Sequence, residues 1–482
     1  MRWITALNLA QWAEKLTSRS DLPRLVEDLI LASAPTITSL RFPNGDLGQI
    51  RGKDGFLDAR GVGLPYVPEG RSGWEFSVRK DIKDKVEDDF EQKVVKGDRT
   101  EWKDKVFIFV TPRTWDYPKG PDLQSWIEKK RELKLCRDVM VIDGPQLETW
   151  FDQCPGVAAK YAKAEFGLMP SGGIESLDEF WALFSSRWRP ILTEEPLLCE
   201  REERAATLVR ELQSSVGQFT LTADSPDEVI GFAVAAIRAC EVNMRRFLEA
   251  RALVISTEEA AKTFIGRAKL TFLLRGAATR VAGALAHSGP TLVPVSNDRP
   301  RFGQEVLTRP SVHKFAGALQ TMGFDEAKAL EHARTCGQSI VILSRILNPS
   351  LAAPPPGWAA SGGSIVPALL AGAWDSSNQI DTEIVSMLAG GKPYAEIETG
   401  VRPLLRSNDP LLDCAGDVWK MRAPFEAFVY LGHLVGAAEL RRLGEAVKRV
   451  FGQKYIPPER APVFTDKPAP KEPSQWIRDG LV

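Results

Sequence analysis

The sequence predicts an α/β protein of several domains, and three observations predict it. At 482 residues the chain exceeds what one hydrophobic core organises, so roughly two to four domains are expected. Short, wholly apolar runs such as Val106–Val110 (VFIFV) and Ala252–Ile255 (ALVI) recur between helix-period stretches, the pattern of buried strands alternating with helices. Hydrophobic content of 44% and charged content of 26% belong to an ordinary globular chain.

The formal net charge is −1, which excludes a uniformly basic nucleic-acid binder and restricts any such surface to a local patch. Six cysteines (136, 154, 199, 240, 336, 414) and four histidines (287, 313, 332, 433) are dispersed, with no CxxC pair. That argues against a zinc site and for a reducing compartment. The first ten residues have no long apolar run behind a basic start, so they do not read as a signal peptide, and no apolar run reaches membrane-spanning length; a soluble cytoplasmic protein is expected.

Taken in order, 8–17 reads as a short helix. A second starts at Asp21, with Leu22, Leu25, Val26, Leu29 and Ile30 as its apolar stripe and Glu27 off that stripe. Strands are expected at 37–42, 52–59 and 73–78; in the third, Glu75 and Ser77 share one face and Trp74 and Phe76 the other. Asp81 is placed to cap a charged helix to about residue 95. Strands at 106–110 and 138–142 then alternate with helices at 122–134 and 145–151. Beyond 169–173 helices are expected at 177–184 and 201–212, and strands at 219–223, 252–255, 270–274 and 291–295. The turn Ser225-Pro226-Asp227-Glu228 opens a helix, and the alternation suggests a largely parallel sheet. From 310 to 347 the pattern is helical, with Gly337-Gln338-Ser339 ending one helix and capping the next. A Pro/Gly-rich connector (352–363) comes next, then helices at 365–373, 383–388 and 425–450. A proline-dense linker at 457–474, expected to be disordered, leads to a final helical start at 475–480.

The chemistry concentrates early. Asp54 stands between Gly52 and Gly55, Glu75 comes on the next strand, and a lysine-rich segment, 79–96, lies after it. Carboxylates on neighbouring strands with a nearby lysine suit a metal-dependent phosphodiester hydrolase. The stretches KDGFLDA, VPEGRSGWEFS, KDKVEDDF, VFIFVTPRTW and VMVIDGPQLETWF, in this order, resemble the restriction-endonuclease-like nucleases, the PD-(D/E)xK superfamily, and in particular the nuclease module at the N-terminus of bacterial antiphage STAND-type proteins. The resemblance covers roughly residues 1–166.

The resemblance implies a nuclease-like α/β/α domain at 1–168, a P-loop-NTPase-like α/β domain without a Walker A motif at 169–308, a helical region at 309–456 and a tail at 457–482. It implies that Asp54 and Glu75, with the main-chain carbonyl near Phe76, hold Mg²⁺ or Mn²⁺, and that Glu27 matches a glutamate on the first core helix. Ser77 stands where the motif's lysine would share the carboxylate's face, so Lys85 is the first candidate for a lysine supplied by the following helix, with Lys83 and Lys80 next. Lys80, Lys83, Lys93 and Lys96 are expected phosphate contacts, and Trp102 and Trp115 offer rings for base stacking. DNA, a phage-derived trigger and further copies of the same chain are the implied partners.

No G-x-x-x-x-G-K-[ST] occurs. Gly390-Gly391-Lys392-Pro393 lacks the hydroxyl residue and does not follow a strand, so the second domain is read as non-hydrolysing. Two other readings stay open: a catalytically inactive DNA-binding scaffold, and an NTP-binding signalling protein.

Overall fold

The computed structural model describes residues 3–33, 36–42, 55–60, 66–97, 99–116, 122–168, 172–213, 216–267, 270–295, 305–348, 355–405, 410–452 and 472–481. The chain is an α/β protein of two compact units. One gathers Met1–Ala182, Leu208–Phe219 and Ile237–Val293; the other gathers Leu183–Thr207, Thr220–Ala236 and Pro294–Val482. Among the described residues no helix is long and apolar enough to cross a membrane.

The first unit opens with α1 (Ala6–Trp12) and α2 (Ser18–Ser33), followed by β1 (Thr36–Arg41), β2 (Gly55–Arg60) and β3 (Gly70–Phe76). Then come α3 (Ile82–Phe90), β4 (Val106–Val110), α4 (Leu123–Glu132), β5 (Asp138–Ile142), α5 (Gly144–Gln153) and α6 (Pro155–Ala164). Through α5 this is the order the sequence predicts, apart from a one-turn helix, Arg99–Trp102, before β4; α6 is additional to it. The strands form one sheet in sequence order. β1, β2 and β3 pair antiparallel, with Gly55 opposite Trp74, and β3, β4 and β5 pair parallel, with Glu75 opposite Phe109.

β4 is apolar at every position because it feeds two cores. Val106, Ile108 and Val110 join Trp74 of β3, the stripe of α2 and Trp150 of α5 on one face. Phe107 and Phe109 point the other way and meet Ile82, Val86 and Phe90 of α3 and Trp126 of α4. Trp74 and Phe76 both pack on the α2 side, so Glu75 between them belongs to the face that α3 covers.

α3 departs from expectation at both ends. Asp81 holds the N-cap position, but its side chain makes no cap hydrogen bond; it pairs with Arg79, whose Nε donates at 2.9 Å. A guanidinium fork two residues away is the stronger partner for that carboxylate. At the far end the helix passes into a π turn, Glu91–Val95, closed by the Lys96 N–H donating to the Glu91 carbonyl at 2.9 Å.

The second sheet contains β6 (Ile174–Glu175), β7 (Gly217–Thr222), β8 (Ala252–Ile255), β9 (Thr271–Leu274), β10 (Pro290–Val295) and β11 (Glu305–Val306), in the order β11-β7-β10-β9-β8-β6. β8, β9 and β10 pair parallel, as do β7 and β11, and the short β6 runs antiparallel to β8. Between these strands run α7 (Leu177–Ser185), α8 (Glu202–Gln213), α9 (Pro226–Arg238) and α10 (Val242–Arg251). Ser225 caps α9 as the sequence predicts, its Oγ accepting the Glu228 N–H at 3.1 Å.

In the second unit α11 (Val312–Gln320), α12 (Glu326–Thr335) and α13 (Ile340–Leu347) occupy the expected helical stretch. Two expectations beyond it are corrected, and a hairpin is added. The helix read at 365–373 is α14, Val366–Ala371; Gly372, with φ +67°, turns the chain into a strand, β12 (Ala373–Asp375). After α15 (Gln379–Leu388), a hairpin of β13 (Leu412–Ala415) and β14 (Val418–Met421) completes a three-stranded sheet in which Trp374 stacks on Trp419. The stretch read as one helix at 425–450 is two, α16 (Pro424–Leu431) and α17 (Ala437–Phe451), separated where Gly432 and Gly436 weaken helical continuity. The helix α18 (Gln475–Gly480) docks by Ile477 into the same core. Residues 457–471 of the expected linker lie outside the described residues.

Candidate functional site

The site is built at the carboxyl ends of β3 and β4, on the face covered by α3. Glu75, the penultimate residue of β3, is 8% exposed. Beyond it Ser77 donates its N–H to the Val110 carbonyl at 3.0 Å and accepts the Arg79 N–H on its hydroxyl at 3.2 Å. Ser77 is buried and spent on holding the backbone where the strand ends.

The lysine beside Glu75 is Lys93. Its Nζ lies 3.8 Å from Glu75 Oε1, with the Lys93 side chain 26% exposed and the Glu75 side chain 10% exposed. Lys85, the first candidate from sequence, pairs instead with Asp89 one turn on. Lys85, Asp89 and Lys93 form an i, i+4, i+8 row. The π turn begins between Asp89 and Lys93. It changes the phase of the helix, so Val94 continues the buried row of Val86 and Phe90 while Lys93 reaches Glu75.

The other predicted residues scatter. Glu27 lies on α2 and is buried against Arg246 of α10, 2.7 Å away, rather than pointing to solvent. Arg246 also holds Asp28 at 2.8 Å, and Lys160 reaches Asp28 at 3.1 Å. Burial works to raise the Asp28 pKa, but Lys160 and Arg246 together outweigh it and hold the carboxyl below its ordinary value. Lys80 is exposed and 3.2 Å from Glu14; Lys96 is exposed and 3.6 Å from Glu91; Lys83 is half-buried on the first turn of α3. Phe76 packs against the α2-side core. Trp102 is buried, its ring 5.8 Å from that of Phe107, so it offers no face for stacking on a base; half-buried Trp115 packs on Trp126 at 5.9 Å.

Asp54 lies outside the described residues. The residue after it, Gly55, is in register with Trp74, the neighbour of Glu75. A Cβ at Gly55 would come 2.7 Å from the Phe42 ring, so the start of β2 packs closely. Among the described residues no group of three or more His, Cys, Asp or Glu side chains gathers as a metal cage. Glu75 does present a carboxylate oxygen, the donor that Mg²⁺ and Mn²⁺ take, and the remaining positions can be filled by a second carboxylate and water.

Sequence reasoning misses Lys93 as the partner of Glu75, and misses Arg246. The i, i+4 row from Lys85 to Lys93 is a readable signal for the first. Nothing local marks Arg246, which sits 218 residues from Asp28. No protein-family model matches this chain, and no curated protein matches it.

Proposed function

We propose that the chain is a metal-dependent endonuclease acting on DNA, with Glu75 and Asp54 as its carboxylates and Lys93 as its lysine. The observation that carries this reading is the Lys93–Glu75 pair, 3.8 Å apart at the carboxyl edge of a sheet whose first three strands are antiparallel and last three parallel. The pair restores on a helix the carboxylate–lysine couple that Ser77 interrupts on the strand. A divalent cation held by Glu75 and Asp54 would neutralise charge on a scissile phosphate and make a bound water more acidic. Lys93, half-buried beside Glu75, keeps an ammonium where it can donate to the attacking water or to a phosphate oxygen. Exposed Lys80 and Lys96 contact the backbone of the substrate without reading its sequence.

The rest of the chain regulates this centre. Its second sheet, ordered β11-β7-β10-β9-β8-β6, supports an NTPase-like reading of 169–308 without a phosphate-binding glycine loop. By the resemblance of the front module, the biological role is antiphage defence.

The test is plasmid nicking by the full chain with Mg²⁺ or Mn²⁺. Lys93→Ala should lose on the order of 10²-fold or more in rate, as removal of a general acid–base group does, and Glu75→Gln should lose on the order of 10²-fold or more because it removes a charged metal ligand. Lys85→Ala should retain most activity. Full activity in Lys93→Ala with loss in Lys85→Ala would return the role to Lys85. Cleavage unaffected by Glu75→Gln would end the nuclease reading at this site.

A further inference from the structure

The strand order of the second sheet reverses at β7. From β7 the chain passes through α9 and α10 to β8, and then through β9 and β10 back to one side of β7; β11 takes the other side. In open α/β sheets ligands bind beyond the carboxyl end of the strand where the order reverses, because the connections diverge there and leave a crevice. In this chain that position holds two acids and three arginines.

Asp224 lies just past β7, and Glu228 lies in the first turn of α9; their side chains are 5% and 3% exposed. Arg309 Nη2 is 2.7 Å from Asp224 Oδ2, and Arg422 Nη2 is 2.9 Å from Asp224 Oδ1, so each carboxylate oxygen has its own guanidinium. Arg201 Nη1 is 3.2 Å from Glu228 Oε1, while the other Glu228 oxygen accepts the Asp224 N–H at 3.2 Å. Arg201 and Arg309 are steadied from behind, donating to the carbonyls of Thr308 and Gly337, each at 2.7 Å. Asp413, at the exposed rim, is 3.2 Å from Arg422 Nε. The hydroxyl of Thr222, the last residue of β7, is buried and makes no hydrogen bond among the described residues.

Guanidinium forks pair with carboxylate and phosphate by the same geometry. Two of them on the two oxygens of one anion, at a strand-to-helix junction, make a seat for a phosphate group. We propose that Arg309 and Arg422 form a phosphate-type anion site at the end of β7, which the chain closes with its own Asp224. A phosphate-bearing ligand enters only when Asp224 swings out. This stands whether or not the Glu75 site cleaves DNA.

The experiment compares the full chain, wild type, with Asp224→Asn and Asp224→Ala. Each is titrated by calorimetry and thermal unfolding with inorganic phosphate and with ATP, against sodium chloride at matched ionic strength. Both variants should bind phosphate at least about tenfold tighter than the wild type, and adding Arg309→Ala should abolish the gain. A gain for ATP exceeding that for phosphate would identify a nucleotide phosphate as the ligand; equal gains would identify the free anion. The proposal fails if phosphate acts on Asp224→Asn no differently from chloride, or if the wild type binds it equally well. Should both variants fail to fold, refolding in phosphate against chloride decides: recovery in phosphate alone supports the site, and equal failure overturns it.

Discussion

Arg246 answers two carboxylates at once, Glu27 at 2.7 Å and Asp28 at 2.8 Å, and Asp28 is 1% exposed. Removing one partner of a buried ion pair leaves an uncompensated charge, which typically costs about 3–5 kcal/mol. Arg246→Ala should fall near the lower end of that range in urea unfolding, because Lys160 remains 3.1 Å from Asp28. The pH dependence comes from the lowered Asp28 pKa. Folding favours the charged carboxylate, so Asp28 contributes stability above its ordinary value of 3.8, and that contribution is lost as pH falls from there through the folded-state value. In acid titrations followed by circular dichroism, Arg246→Ala should unfold at a higher pH than the wild type. Lys93 belongs to the same scale. Lys85 is the natural choice in the sequence because it lies one turn into α3, yet Asp89, four residues on, claims it.

At the scale of elements, the π turn Glu91–Val95 is what brings Lys93 to Glu75. Deleting Gln92 removes the extra residue and lets the helix run on regularly. The variant should fold, as read by circular dichroism, and lose plasmid cleavage at least as fully as Lys93→Ala. β4 makes a second prediction. Phe107 is fully buried among Phe90, Trp102 and their neighbours, so Phe107→Ala should cost about 3–5 kcal/mol in chemical denaturation. These elements are legible in the sequence to different degrees, for physical reasons. Val106–Val110, Asp138–Ile142 and Ala252–Ile255 can be read to the residue because buried strands are apolar runs with sharp ends. The hairpin of β13 and β14 escapes such a reading although Gly416, φ +62°, and Asp417 form its two-residue turn. Its strands have only four residues, and LDCA carries exposed polar side chains where a pattern reader looks for alternation. The π turn has no composition of its own, so the sequence shows the row from Lys85 to Lys93 but not which lysine of that row meets Glu75.

Across the whole molecule, the front sheet does not stand apart from the later chain. Its α2-side core includes Ala250 of α10, and a Cβ on Gly156 of α6 would come 2.4 Å from the Ala250 carbonyl oxygen. A fragment ending at residue 168 keeps the five strands but loses Arg246 and this packing. It should be digested by a nonspecific protease at least about tenfold faster than the same segment within the full chain, because cleavage tracks the open population. Supplying the remainder in trans should not restore resistance fully.

The first compact unit draws on three separated stretches, the last of them Ile237–Val293. Its assembly therefore outlasts the synthesis of its own sheet. At a typical ~5–20 residues per second on the ribosome, Lys93 emerges roughly 8–30 s before Arg246, and before Arg246 arrives Lys160 is the one of these two cations that Asp28 can meet. A unit that gains a structural partner only once residue 246 has been made stays incomplete while that part of the chain is nascent. By the same arrangement, recombination between genes at a single breakpoint after residue 168 would hand on the five-stranded sheet without the arginine that pairs with Glu27 and Asp28 of its second helix.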